Sequence, residues 1–235
     1  MSSKPSPRPV RAVTPIDAAS LVIVRGGGAD AEVVMGRRRP RSRFLPNIYV
    51  FPGGRLERAD HALPPGVALR PEVARKLTRR CRSADPNALA MAVIRETFEE
   101  TGLLLSMPVS GRRLDGCPDT ALWRAFVAAG ARPALEALDY VARAITPTTL
   151  PQRFNTRFFA VDARHARGAL EGDGELLDLQ WVPMREAARR LDVIDVTKFV
   201  LTRTAEHLAR TPRERAQRPV PVLCKVKGVR RIFDE

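Results

Sequence analysis

The 235-residue sequence predicts an α/β fold, and three observations carry that expectation. Two apolar strand candidates flank Gly26-Gly27-Gly28. A helix with legible ends covers residues 86–101. Beyond it, helical and strand-like patterns alternate as far as residue 208. The length suits one well-cored domain with additions, or at most two small ones, and the first is expected. That domain is expected at residues 15–210, between a Ser-, Pro- and Arg-rich lead-in at 1–14, expected to be disordered, and a basic tail at 211–235.

Residues 19–24 read as a short buried strand. The three glycines close it in a turn, and residues 32–38, with Val33, Val34 and Met35 apolar, return as its hairpin partner. No lysine and no helix start follow the glycines, so they do not make a phosphate-binding P-loop. Residues 37–46 are basic. Ile48-Tyr49-Val50-Phe51 then reads as a strand entering a glycine turn, Pro52-Gly53-Gly54, where the missing side chains allow close approach of the backbone to a ligand. Residues 62–84 open on Pro64-Pro65-Gly66 and carry a basic helix pattern at 72–82. There Arg75, Lys76, Arg79, Arg80 and Arg82 make either a solvated face or a contact to a remote phosphate.

The central helix has signals at both ends. Asp85 suits the N-cap, Pro86 the first helical position, and Gly102 the left-handed residue after the last turn. Ala90, Val93, Ile94, Thr97 and Phe98 form one mostly apolar stripe. Glu96, Glu99 and Glu100, at i, i+3 and i+4, converge on another side. Like charges packed this closely repel. A hard divalent cation, Mg²⁺ or Mn²⁺, offsets that repulsion. The competing reading is a solvated acidic face, the default for a Glu-rich helix taken alone.

The run Arg95-Glu96-Thr97-Phe98-Glu99-Glu100-Thr101-Gly102-Leu103 resembles the second half of the Nudix box, and Phe51-Pro52-Gly53-Gly54 through Asp60 resembles the first half. Asp60 stands where Glu is usual and Thr97 where an aliphatic residue is usual. The 34 residues between Asp60 and Arg95 far exceed the family spacing, so the box is split by an insertion at about 62–84. The resemblance implies an α/β/α sandwich with a mixed sheet and metal-dependent hydrolysis of a diphosphate bond. It implies that Glu96, Glu99 and Glu100 hold the metal with the Gly53 carbonyl nearby, that Glu99 and Glu100 are catalytic, and that Arg95, Gly54 and Gly102 are structural or electrostatic. Residues 38–60, the split box and residues 145–159 are similar to a branch of the family that includes a peroxisomal acyl-coenzyme A diphosphatase. That similarity implies coenzyme A or an acyl ester as substrate, cut to 3′,5′-ADP and a phosphopantetheine. A nucleotide sugar, a dinucleotide or capped RNA stays open as substrate, as does a non-catalytic module that binds nucleotide or RNA.

Downstream, residues 119–130 and 133–145 both show helical apolar spacing, which gives a helical addition at about 118–145. Residues 156–162 read as a central strand flanked by Arg153 and Arg157. These two and Arg38 are the candidates for holding phosphate, because a guanidinium forks onto it. Glu171-Gly172-Asp173-Gly174-Glu175 is an acidic turn before a strand at 177–182. In the family a late-loop carboxylate completes the metal shell or acts as base; Glu175 is the first candidate and Glu171 the second, against a solvated turn. Residues 184–191 and 196–208 read as closing helices and 220–226 as a last strand.

Composition narrows the rest. A hydrophobic fraction of 44% and a charged fraction of 28% are ordinary for a globular domain. No apolar run approaches the roughly 20 residues that cross a bilayer, so no membrane is expected, and residues 1–14 lack the apolar stretch of a secretory signal. Three scattered cysteines without CxxC point to reduced thiols, a cytoplasmic setting and no structural zinc. The net charge of +14 goes with heavy Arg usage and favours a small phosphorylated substrate. Nucleic acid is open but not favoured, because aromatics do not interleave with the basic residues. A homodimer is compatible with all of these readings.

Overall fold

A computed structural model describes residues 13–79, 85–109, 117–226 and 229–235. The expected lead-in and Arg80 and Arg82 of the insertion fall wholly or mostly outside these residues. The chain opens with β1 (Ile16–Arg25), β2 (Glu32–Arg38), β3 (Tyr49–Val50) and β4 (Gly53–Arg55). Helices α1 (Pro71–Thr78) and α2 (Pro86–Thr101) lead to β5 (Leu104–Pro108), α3 (Ala121–Ala128) and β6 (Ala131–Pro133). Then come β7 (Asp139–Ile145), β8 (Phe154–Asp162), β9 (Ala166–Arg167) and β10 (Leu176–Pro183). Helices α4 (Met184–Arg190), α5 (Asp195–Leu208) and α6 (Pro212–Gln217) precede β11 (Pro221–Val226) and β12 (Val229–Asp234).

The main sheet runs β10-β2-β1-β8-β7-β11-β12, with β3 beside β2 and β4 beside β1, while β5 joins β6 and β9 in a smaller sheet. Pairs β1/β8 and β7/β11 are parallel and the others antiparallel, so the main sheet is mixed. Alternation along β1 builds a core on each face. Ala19, Leu21 and Ile23 pack with Leu89, Val93 and Ile94 of α2, whereas Val22 and Val24 pack with Met184 of α4 and Phe199 of α5. This is the expected α/β/α sandwich. Among the described residues no helix is long and apolar enough to cross a membrane.

Helix α2 has the predicted ends. The Asp85 carboxylate accepts from the Asn87 N–H at 2.8 Å, Pro86 occupies the first turn, and Gly102 (φ 74°) donates its N–H to Phe98 at 2.9 Å. Its apolar stripe is wider than expected. All residues from Ala88 to Ile94 are buried, because the sheet covers one side and Leu77 and Trp123 of the neighbouring helices cover another. Thr97 replaces an aliphatic residue at no polar cost: its buried hydroxyl donates to the Val93 carbonyl at 2.7 Å.

Three expectations are corrected. Gly53 and Gly54 lie in a strand, β4, paired antiparallel with β1, and not in an open turn. At Gly53 (φ 151°) a Cβ would stand 2.3 Å from the Ala19 carbonyl oxygen, so a glycine-only approach of two strands resembles a turn in sequence. The helix expected at 133–145 is instead β6, a short 3₁₀ turn and β7. Residues Tyr140 to Ala144 are buried on both faces, Arg143 included, so the run lacks the polar–apolar alternation that marks a strand. The helix expected at 72–82 ends at Thr78, and Val73 and Leu77 seat it on the core.

That helix borders a second cavity of about 660 Å³, away from the acids of α2. Lys76 donates to the Arg215 carbonyl at 2.6 Å, and Arg70, His207 and Arg215 surround Asp139. Burial acts to raise the Asp139 carboxyl, but His207 at 3.0 Å and Arg70 outweigh it and hold the group at about 2. A depressed carboxyl stabilises the fold fully above its ordinary value of 3.8, and the contribution disappears as pH falls through about 2. Asp139→Asn is therefore expected to cost about 2 kcal/mol at neutral pH and almost nothing in strong acid. Urea unfolding of both proteins along a pH series measures the difference.

Candidate active site

The second half of α2 projects Glu96, Glu99 and Glu100 into a cavity of about 730 Å³ beside β4. Glu175 also lines it, as do Arg38, Arg43, Arg55 and Arg95. Phe44, Leu45, Phe154, Phe158, Ile194 and Val196 form its apolar side. Arg95 is the hub among the acids. Its Nε and Nη2 fork onto Asp60 at 2.9 and 3.1 Å, while Nη1 reaches Glu96 Oε1 at 2.9 Å and Glu99 Oε2 at 3.0 Å. Nη2 also donates to the Arg55 carbonyl at 3.1 Å. Asp60 is buried at 2% exposure and accepts the Glu57 N–H at 2.8 Å, closing a capping box. Asp at position 60 thus pins the two halves of the split box together through Arg95.

The glycines have separate tasks. The Gly53 N–H donates to Glu100 Oε2 at 2.8 Å. A Cβ on Gly54 would stand 2.1 Å from Glu96 Oε1, so its absence makes the room that the Glu96 carboxylate fills. Gly102 ends α2 and lies against the late loop, where a Cβ would meet the Glu171 carbonyl oxygen at 2.7 Å.

The late loop is docked onto the C-terminal carbonyls of α2. Glu171 N–H donates to the Thr101 carbonyl at 3.0 Å and Asp173 N–H to the Glu99 carbonyl at 3.1 Å. These bonds satisfy groups that a helix end leaves open. Asp173 then accepts the Glu175 N–H at 2.7 Å, and Arg39 donates to the Gly174 and Asp173 carbonyls. Glu175 is thereby delivered beside Glu96 and Glu100, with Oε1 at 3.9 Å from Arg38 Nη2. Glu171 does not line the cavity. Gly172 carries no sequence signal beyond being a loop glycine, yet a Cβ there would stand 1.8 Å from the Glu100 carbonyl oxygen. Gly172→Ala is expected to shift the loop and with it Glu175, lowering kcat by roughly 10²-fold and lowering the thermal midpoint as the flanking bonds to the end of α2 are disturbed. Steady-state kinetics and a melt on the same preparation test this.

The acids are crowded. Burial pushes the Glu96 carboxyl up; Arg95 opposes it, and Glu99 and Glu175 add to the rise. Burial pushes Glu100 well above the ordinary carboxylate range; the Gly53 N–H and Arg38 oppose the rise, and Glu96 and Glu175 reinforce it. Among the described residues no three His, Cys, Asp or Glu side chains are gathered into a ready-made metal cage. Arg95 holds Glu96 and Glu99 on its own side. The donor set still fits a hard divalent cation: Glu96, Glu99, Glu100 and Glu175 line one cavity and offer oxygen donors, with no sulfur or imidazole among them.

Arg38 lines the cavity, and its Nε is buried without a hydrogen bond among the described residues. Arg153 and Arg157 are a correction. Arg157, 1% exposed, binds Asp17 and donates to the Asn155 carbonyl at 2.8 Å. Arg153 donates to the carbonyls of Thr146 at 3.0 Å and Val13 at 2.5 Å. Both guanidiniums order the strand ends around β8 and neither lines the cavity. The cavity takes the other side of the same strand, Phe154, Thr156 and Phe158, a one-residue change of face. Arg43 and Arg55 were not singled out from sequence, because a basic stretch offers no means of choosing among its arginines.

No family model matches the chain. A Nudix hydrolase from Alicyclobacillus acidocaldarius is similar in structure, with a TM-score of 0.62 and 29% identity over 80% of this chain and 90% of that one. Acyl-coenzyme A diphosphatase NUDT19 of Gallus gallus is 32% identical over 43% of this chain and 34% of its own length. The Xenopus laevis protein of that name is 30% identical over 34% of this chain and 27% of its own. The chain thus spans about a third of the length of the curated relatives it matches.

Proposed function

We infer that this chain, which has the Nudix hydrolase fold, is a metal-dependent hydrolase of a diphosphate bond acting on coenzyme A or its acyl esters. The observation that carries the reaction is the convergence of Glu96, Glu99, Glu100 and Glu175 on one cavity with Arg38. Glu96, Glu99 and Glu100 would hold Mg²⁺ or Mn²⁺ there. When bound, such a cation neutralises diphosphate charge and acidifies water. Arg38, with Arg43 and Arg55 on the same walls, draws the phosphates in and orients them. Arg95 keeps Glu96 and Glu99 in register for this task. Glu175 accepts the proton of the attacking water. The new P–O bond forms as the bridging P–O bond breaks, and the leaving phosphate departs with the bridging oxygen.

The substrate reading rests on the apolar side of the cavity. Phe44 packs edge-on against Phe154 at 5.3 Å, and with Leu45 and Val196 they offer a wall for the uncharged part of a substrate next to its diphosphate. The partial likeness to acyl-coenzyme A diphosphatases points the same way. Hydrolysis with Mg²⁺ or Mn²⁺ is to be followed on coenzyme A, an acyl-coenzyme A, dephospho-coenzyme A, ADP-ribose, NADH and a diadenosine polyphosphate. Release of 3′,5′-ADP from the first two, faster than cleavage of the others, supports the reading. Preference for another member keeps the chemistry and discards the substrate. Nucleotide or RNA binding without turnover overturns the hydrolase reading in favour of a binding module.

A further inference from the structure

Strand β12 ends the main sheet, and its only partner among the described strands is β11. All of its residues are exposed, and it carries Val229, Ile232 and Phe233, three of the seven large apolar side chains exposed among the described residues. An edge this open is a template for another strand. Its hydrogen-bonding phase is set by Val220 and Glu235, which exchange both backbone bonds at 3.1 and 3.0 Å. Bonded positions alternate in an antiparallel pair, so Phe233, Arg231 and Val229 turn their N–H and C=O groups toward β11. Arg230, Ile232 and Asp234 therefore aim theirs outward.

We propose that β12 pairs with β12 of a second copy, antiparallel, about a twofold axis at Ile232. This register joins the outward backbone groups of the two copies. It sets Arg230 opposite the second copy's Asp234, and the reverse, on either side of an Ile232–Ile232 contact on the same sheet face. An axis at Arg231 would oppose two like charges. An axis at Phe233 would call on Glu235 to face Arg231, but the Glu235 side chain is buried and held by Arg143 at 2.7 Å and Tyr140 at 3.2 Å. Phase and charge together select one register and one occupant. The net charge of +14 on each copy opposes association. Most of it acts beyond a Debye length of about 8 Å and is screened, whereas the Arg230–Asp234 pairs meet at contact.

Light scattering or sedimentation of the full chain over a concentration series tests this. The expected result is a concentration-dependent doubling of the 26.0 kDa mass. Arg230→Asp and Asp234→Arg each oppose like charges and are expected to lose the dimer, while the double swap restores it. Ile232→Pro, which removes an outward N–H and no bond to β11, is expected to lose the dimer with an unchanged circular dichroism spectrum. A wild-type monomer throughout, a dimer indifferent to the swaps, or a double swap that fails to restore it overturns the proposal.

Discussion

Glu99→Gln is expected to lower kcat at least ~10²-fold and leave the thermal midpoint unchanged, since a held cation contributes several kcal/mol to the transition state. The two effects separate because of where Glu99 sits. Its side chain is about half exposed, and its ion pair with Arg95 spans 3.0 Å at the surface. Exposed pairs of that kind contribute only about 0–1 kcal/mol to stability. The same carboxylate faces the cavity with Glu96 and Glu100, so the amide removes a charge where a cation is to be bound. Steady-state kinetics with saturating Mn²⁺, alongside a melt, check both halves. A stable variant with wild-type kcat would remove Glu99 from the reaction.

Arg95→Met is expected to reduce stability by about 3 kcal/mol or more, the scale of leaving one half of a buried pair unpartnered. Asp60 is 2% exposed and would lose both arms of the guanidinium fork. A second substitution, Asp60→Asn, removes the stranded charge while keeping an acceptor for the Glu57 N–H. The double variant is expected to recover most of the loss, and denaturant unfolding of the three proteins measures it. Equal stability of the single and double variants would show that the Asp60–Arg95 pair does not tie the split box together. Activity is expected to stay low in the double variant, because Glu96 and Glu99 have lost their anchor.

What could be read in the sequence was local. Asp85, Pro86 and Gly102 announce the ends of α2, and i, i+3, i+4 spacing brings its glutamates to one face, so the acidic half of the candidate site was legible. Glu175 was legible less directly, as an acid in a turn. Its delivery depends on Gly172 abutting the Glu100 carbonyl, a contact between residues distant in sequence. The misread places share a cause. Residues 140–144 are buried on both faces, which erases the period that separates strand from helix. Gly53 and Gly54 read as a turn because their glycines serve a strand-to-strand approach and the Glu96 carboxylate. Arg153 and Arg157 have the chemistry for phosphate, but the alternation of β8 turns Phe154, Thr156 and Phe158 to the cavity.

The proposed reaction depends on the acids of α2 holding a divalent cation. Titrating Mn²⁺ into the wild-type chain and into Glu99→Gln, with free Mn²⁺ read from its electron paramagnetic resonance signal, tests it most directly. Saturable loss of the free signal is expected for the wild type, with reversal by excess Mg²⁺ and much weaker binding by the variant. Mn²⁺ that stays free with the wild type, or that binds both proteins equally, would contradict it.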